Sequence, residues 1–226
     1  GDRQKLAEMI QMSASAVMPR SFAPQPVGAG LALATVAADL GIEKLIDQVC
    51  PVRRGAAPFG RRMLLAALHR VLAPRRENGL RNLRGFYETS VLAELLPIAA
   101  TGLDDRRMGE MLGGMTGKQV EQIEASVVQR LIKSEGVSTH ALAFDCTNFD
   151  SFAGAKSRSR LLRRGHPKSG RPLRVMGMGL LVTADEGMPL LTFVYPGNEN
   201  DVTAFGRFLR ALDRRHASLD LPLQMT

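Results

Sequence analysis

The sequence predicts a mixed α/β protein, α+β in overall arrangement, with a helical first part and a sheet-forming last part that meet near residue 137. Three observations carry this expectation. Apolar residues recur every three or four positions from Leu31 to about Ile132, the spacing of amphipathic helices. From His140 the pattern becomes an alternation (HALAFDCTNF), which is the period of a strand. Two apolar runs then flank a short turn ending in Gly187, and a new helical pattern begins at Asp201.

Taken in order, residues 1–27 start with a short helical pattern and dissolve into Ser, Ala and Pro, the composition of a mobile leader. Residues 28–136 form a predicted helical, basic amino-terminal domain. Leu31 to Val49 is broken near Gly41 and resumes with Ile42, Leu45, Ile46 and Val49 on one face. Arg61 to Leu72 places Leu64, Leu65, Leu68, Val71 and Leu72 at helical spacing and stops at Ala73-Pro74. Shorter helices are expected around 80–96 and 104–113. Lys118 to Ile132 aligns Val120, Ile123, Val127 and Leu131 opposite Glu121, Glu124 and Gln129. These helices suit ordinary bundle packing, and one of them could serve a helix-turn-helix, although no distinctive turn marks it.

Residues 137–226 form the predicted α/β part. Its elements are a strand around 140–149, a long basic connection, a hairpin (Leu173 to Thr183 and Pro189 to Tyr195), and a helix. Val202, Phe205, Leu209 and Leu212 lie on one face of that helix, and Leu219 to Met225 approaches a further strand. The order is that of an α/β domain without its second half. An incomplete sheet of this kind is expected to leave an open strand edge and to favour aggregation.

Composition narrows the functional classes. Hydrophobic residues make up 45% of the 226 and charged residues 23%, which suits a packed core and argues against a largely disordered chain. The two cysteines, Cys50 and Cys146, form no CxxC pair, which excludes a disulfide scaffold and a cysteine-ligated zinc site. The longest uncharged run, Ser21 to Ala38, holds two prolines and two glycines and cannot form a membrane span. No basic-then-apolar leader marks secretion, so a soluble, cytoplasmic protein is expected. The first residue is Gly rather than Met, so a missing native start is also expected.

Charge points to a partner. Pro51 to Phe86 carries nine arginines against Glu77, and Ser151 to Arg174 carries eight basic residues and no acid. Each segment is therefore +8, while the whole chain is also only +8, so the remainder nets −8. Two concentrated basic segments on an otherwise acidic chain suit a polyanion such as double-stranded DNA, because each neutralised phosphate releases counterions. The residues expected to contact it are Arg61, Arg62, Arg75, Arg76, Arg158, Arg160, Arg163, Arg164, Lys168, Arg171 and Arg174. Solvated arginine-rich loops are the plainer alternative.

Asp145 stands out because it interrupts an apolar strand, where a carboxylate is costly to bury without a partner. Two readings stand: a carboxylate on the exposed face of the strand, or a ligand for magnesium, a cation that prefers oxygen donors. Asp201 likewise reads either as the N-cap of the helix behind it or as a metal ligand. His166, in a basic loop, reads as solvated rather than as a ligand. Cys146 should face away from Asp145, into the core. Gly177 and Gly179 mark close approach within a strand rather than a phosphate cradle.

Several ordered motifs resemble insertion-sequence transposases of the DDE, RNase H-like class. They are FDCTNF, GHPKSGRP before a strand, GMPL in the hairpin return and GNENDVTAF, spread over about 141–212. DLGIEKLID, VLAPRRENGLRNL and LDDRRMGEML resemble the helical amino-terminal region of such proteins. Pro167 stands where the resemblance expects Ser. The resemblance implies an RNase H-like catalytic domain, here only its first part. It further implies a magnesium cofactor, a homodimeric full-length protein, a bacterial cytoplasmic or nucleoid location, and cleavage and strand transfer at mobile-element ends. By this resemblance Asp145 matches the first catalytic carboxylate, whereas nothing in Leu219 to Thr226 supplies the A-D-x-G segment of the second, and no later Glu follows. The chain is accordingly expected to be an incomplete copy that does not cleave alone. The alternatives are a non-catalytic DNA-binding fragment or regulator acting on the same ends, and a nuclease on the same fold.

Overall fold

A computed structural model describes residues 27–51, 58–153, 157, 159–165, 167 and 169–219. Expectations for the leader, Arg53, Arg54, Arg158, His166, Lys168 and the strand approach near the end fall outside these residues. The protein is mixed α/β, as the spacing predicts. Its elements are α1 (Gly28–Asp39), α2 (Ile42–Val49), α3 (Phe59–Leu72), α4 (Leu83–Glu88), α5 (Leu92–Leu95), α6 (Asp105–Gly113) and α7 (Gly117–Glu135). After these come β1 (Leu142–Ser151), β2 (Arg163–Arg164), β3 (Arg174–Thr183), β4 (Pro189–Pro196) and α8 (Asp201–Leu219), with single 3₁₀ turns at Leu80–Asn82 and Ala100–Leu103.

The helical part forms where apolar spacing and stop signals agree. Gly41, at φ 60°, supplies the left-handed residue that separates α1 from α2. Leu64, Leu65 and Leu68 of α3 pack with Leu83, Tyr87, Leu92, Leu103 and Met108 into one core. Val71, expected on the same stripe, is 71% exposed, whereas His69 and Leu72 of the same turn pack inward. Gly60 lets α3 approach α2 closely: a Cβ there would collide with the carbonyl of Glu43, and the Gly60 N–H donates to Asp47 Oδ1 at 2.7 Å. The Tyr87 hydroxyl ties α4 to the following loop, accepting from the Ile98 N–H at 2.9 Å and donating to the Ile98 carbonyl at 3.2 Å. A capping box between Thr116 and Gln119 starts α7, and Gly136 at φ 62° ends it.

His69 is 1% exposed, rests on the Phe86 ring at 4.8 Å, and donates from Nε2 to the Glu77 carbonyl at 3.1 Å. Burial lowers its pKa below the ordinary 6.5, with Arg70 adding in the same direction against the Glu77 hydrogen bond. The unfolded chain gains this proton as pH falls through about 6.5, while the folded chain resists it. Stability is therefore full above 6.5 and falls as pH drops from there toward the lower folded value, by at most about 1.4 kcal/mol per pH unit. Melting curves between pH 7.5 and 5, ranges set around that pKa, should show a steeper decline in the wild type than in His69→Gln. Parallel declines would sink this assignment.

The sheet is antiparallel. The central strand β3 pairs along one edge with β1 over its full length, with Asp145 opposite Leu180, and its other edge is shared by β4 and the two-residue β2. The turn between β3 and β4 is closed by Gly187 at φ 66° and by the Met188 N–H donating to Thr183 Oγ1 at 3.0 Å. One sheet face is covered by α7 and α8, whose Val128 and Phe208 pack with Leu181, Leu190 and Leu191. On the opposite face Phe149 and Val194 remain 46% and 41% exposed. Among the described residues β1 has no strand on its outer edge.

Two expectations shift. The buried side of α8 is Ala204, Phe208 and Arg215, whereas Val202, Phe205 and Leu209 are 83%, 43% and 41% exposed. On α7 the buried residue is Val128, next to the predicted stripe. On α8 the Phe208 ring turns in to meet Phe144 and Phe193, and Leu212 of the predicted stripe packs beside it. α7 presents Val128 to Leu181, Leu190 and Leu191, and Ile123 of its predicted stripe to the Ile46, Cys50 and Phe59 cluster. Gly177 and Gly179 do mark close approach, but to rings. A Cβ on Gly177 would strike Tyr195, and one on Gly179 would lie 2.7 Å from the Phe144 ring.

Candidate functional site

Alternation along β1 decides where Asp145 points. Phe144 stacks on Phe208 of α8 with centroids 3.9 Å apart, and Cys146 reaches Tyr195, so both face the helices. Asp145 therefore projects to the uncovered face, where it is exposed beside Ala143, Thr147, Met178, Leu180 and Val182 around a shallow hollow of about 230 Å³. Its Oδ1 accepts from the Cys146 N–H at 2.8 Å. A carboxylate thus sits exposed in the middle of a largely apolar surface, the first of the two readings the sequence left open for it.

Asp201 lies on the other side of the sheet. Its Oδ1 accepts from the Tyr195 hydroxyl at 2.9 Å, and the Tyr195 ring lies over Gly177 on the helix-covered face. The helix cap expected of Asp201 belongs instead to Asn200, whose Oδ1 accepts from the Thr203 N–H at 2.8 Å. A cap must sit just outside the helix, and Asp201 is already in its first turn. Burial holds the Tyr195 phenol well above its ordinary range, and its hydrogen bonds to Cys146 and Asp201 add to this. The phenol therefore stays protonated and donates. Burial likewise raises the Cys146 thiol, so it is a poor nucleophile at neutral pH. Sequence reasoning placed Cys146 in the core but missed the Tyr195–Asp201 pair, because nothing in the local pattern around Tyr195 marks a partner.

Asp145 and Asp201 consequently cannot converge on one ion. Among the described residues no three His, Cys, Asp or Glu side chains are grouped to hold a metal. Magnesium needs several oxygen ligands at near-octahedral geometry, so Asp145 and Asp201 are not two ligands of one magnesium ion.

The predicted basic contacts divide by what they touch. Arg61 is held by Glu43 at 3.0 Å and by the Pro97 carbonyl at 3.0 Å, tying α2, α3 and the loop after α5 together. Arg62 lines a cleft with Cys50, Phe59, Arg107 and Glu110. Arg163 donates to the Ser159 carbonyl at 3.0 Å and Arg174 to the Ser157 carbonyl at 3.3 Å, so both shape the β1–β3 connection. Arg75, Arg76, Arg160, Arg164 and Arg171 are exposed and make no side-chain hydrogen bond or ion pair among the described residues.

No described helix is long and apolar enough to cross a membrane. No protein-family model, curated protein or solved structure matches the chain.

Proposed function

We propose that the chain binds double-stranded DNA and belongs to a DDE-class transposase, with Asp145 the first carboxylate of a magnesium-dependent site for phosphodiester cleavage and strand transfer. The observation that carries this proposal is the position of Asp145: central on β1, exposed, and surrounded by apolar side chains on the uncovered face. The strand, hairpin and helix that follow it come in the order the sequence motifs suggest. The exposed arginines of two segments supply positive charge for the phosphate backbone.

A second reading, non-catalytic DNA binding at the same ends, is favoured by the placement of Asp145 and Asp201 on opposite faces. One carboxylate leaves a magnesium ion mostly hydrated and poorly fixed. The 226-residue chain is therefore expected to bind end-bearing duplexes in a salt-sensitive way and to show no cleavage in Mg²⁺ or Mn²⁺. Gel analysis of labelled duplexes checks this. Cleavage that vanishes in Asp145→Ala would show that a complete site forms and would overturn the non-catalytic reading. Absence of any binding at low salt would overturn the DNA assignment itself.

A further inference from the structure

We propose that the loop from Arg164 to Leu173 is a phosphate grip, in which Arg164 and Arg171 seat backbone phosphates of duplex DNA. This rests on the DNA-binding reading above and deepens it, because it separates arginines that build the protein from arginines that face the ligand.

The described residues around this hollow are held from both sides. Gly165 passes so close to the Gly197 carbonyl that no side chain fits there, and the Gly197 N–H donates to the Leu161 carbonyl at 3.0 Å. Gly170 adopts φ 68° and its N–H donates to the Pro167 carbonyl at 3.1 Å, while Pro167 and Pro172 restrict φ on either side. Arg163 and Arg174 spend their guanidinium groups on carbonyls of the preceding connection. Arg164 and Arg171 do not: both are exposed and unpaired among the described residues, and both line a single open cavity of about 520 Å³ walled by Gly165, Pro167, Pro172 and Leu173. No acid occurs between Ser151 and Thr183.

Two unengaged guanidinium groups over one hollow suit an oxyanion, since planar N–H forks match phosphate oxygens. In the other basic segment, Arg61, Arg70 and Arg84 are taken up by Glu43, Asn78 and Glu88. Arg75 and Arg76 are exposed on the turn after α3, and that turn also carries Glu77. The Arg164–Arg171 pair is the stronger candidate for the grip.

Binding of a short labelled duplex to the full chain should be measured by anisotropy across salt concentrations for the wild type, Arg164→Gln/Arg171→Gln and Arg75→Gln/Arg76→Gln. Each lost phosphate contact lowers the slope of log K against log salt by about 0.9, so the first pair should lower it by about 1.8. The second pair should change it little. Both pairs are exposed, so neither substitution reaches the core, and unchanged melting temperatures confirm that. A loss confined to Arg75→Gln/Arg76→Gln, or equal losses from both pairs, would overturn the grip while leaving DNA binding intact. A wild type whose binding does not depend on salt would overturn the DNA reading on which it rests.

Discussion

Phe208→Ala is expected to destabilise the protein by about 3–5 kcal/mol, the range for truncating a buried aromatic in a core that cannot collapse around it. Phe208 is 2% exposed and is the ring on which α8 meets the sheet, stacking on Phe144 at 3.9 Å and meeting Phe193 edge-on at 6.5 Å. Removing it opens a void between rings already fixed by strand pairing. Phe205, one turn earlier, is 43% exposed. Its truncation should therefore cost clearly less, since the stabilisation scales with apolar area removed from water and no enclosed void is left. Urea unfolding of the two variants measures the difference directly. Equal losses would mean that α8 packs through the stripe its sequence suggests rather than through the face described above.

The second large effect is expected at Glu124, in the middle of α7. One of its oxygens accepts from the Thr192 N–H of β4 at 2.7 Å, and the other meets the Arg215 guanidinium of α8, whose side chain is only 6% exposed. A single carboxylate thus satisfies an edge-strand donor and balances a buried cation. Glu124→Ala should cost about 3 kcal/mol, because removing one member of a buried pair leaves the other charge poorly solvated. Glu124→Gln keeps an acceptor for Thr192 but loses the charge, and it should fall between the alanine variant and the wild type. Chemical denaturation orders the three. A glutamine variant as unstable as the alanine one would show that the charge, and not the Thr192 hydrogen bond, carries the whole effect. An alanine variant within about 0.5 kcal/mol of wild type, the usual range for a surface substitution, would remove Glu124 from this role.

The local signals read well where burial and periodicity coincide. Leu64, Leu65 and Leu68 lie where helical spacing puts them, and β1, β3 and β4 follow from strand-like apolar runs and from the Gly187 turn, whereas the two-residue β2 lies where the sequence suggests only a basic connection. The separation of Asp145 from Cys146 was also legible, because strand side chains must alternate. The inward faces of α7 and α8 were not. Phe208 is chosen over Phe205 by rings of distant strands, and Val128 over Val127 by Leu181, Leu190 and Leu191, and composition on a helical wheel does not encode those partners. The cap of α8 was off by one residue for a related reason: Asn200 and Asp201 are both good caps, and Tyr195 decides between them by engaging Asp201.

For the candidate site, the sequence by itself determined which residue types occur: a carboxylate inside an apolar strand, and two segments of concentrated positive charge. Only the tertiary structure decided what they face. Asp145 opens onto the side of the sheet that no described helix covers because α7 and α8 both pack on the other side, and Asp201 goes with those helices. Arg61 became a tie between helices because Glu43 lies across from it, whereas Arg164 and Arg171 were left to the solvent. Charge and periodicity are properties of neighbours along the chain. Facing and pairing depend on contacts between residues as far apart as Glu124 and Arg215, and those exist only once the chain has packed.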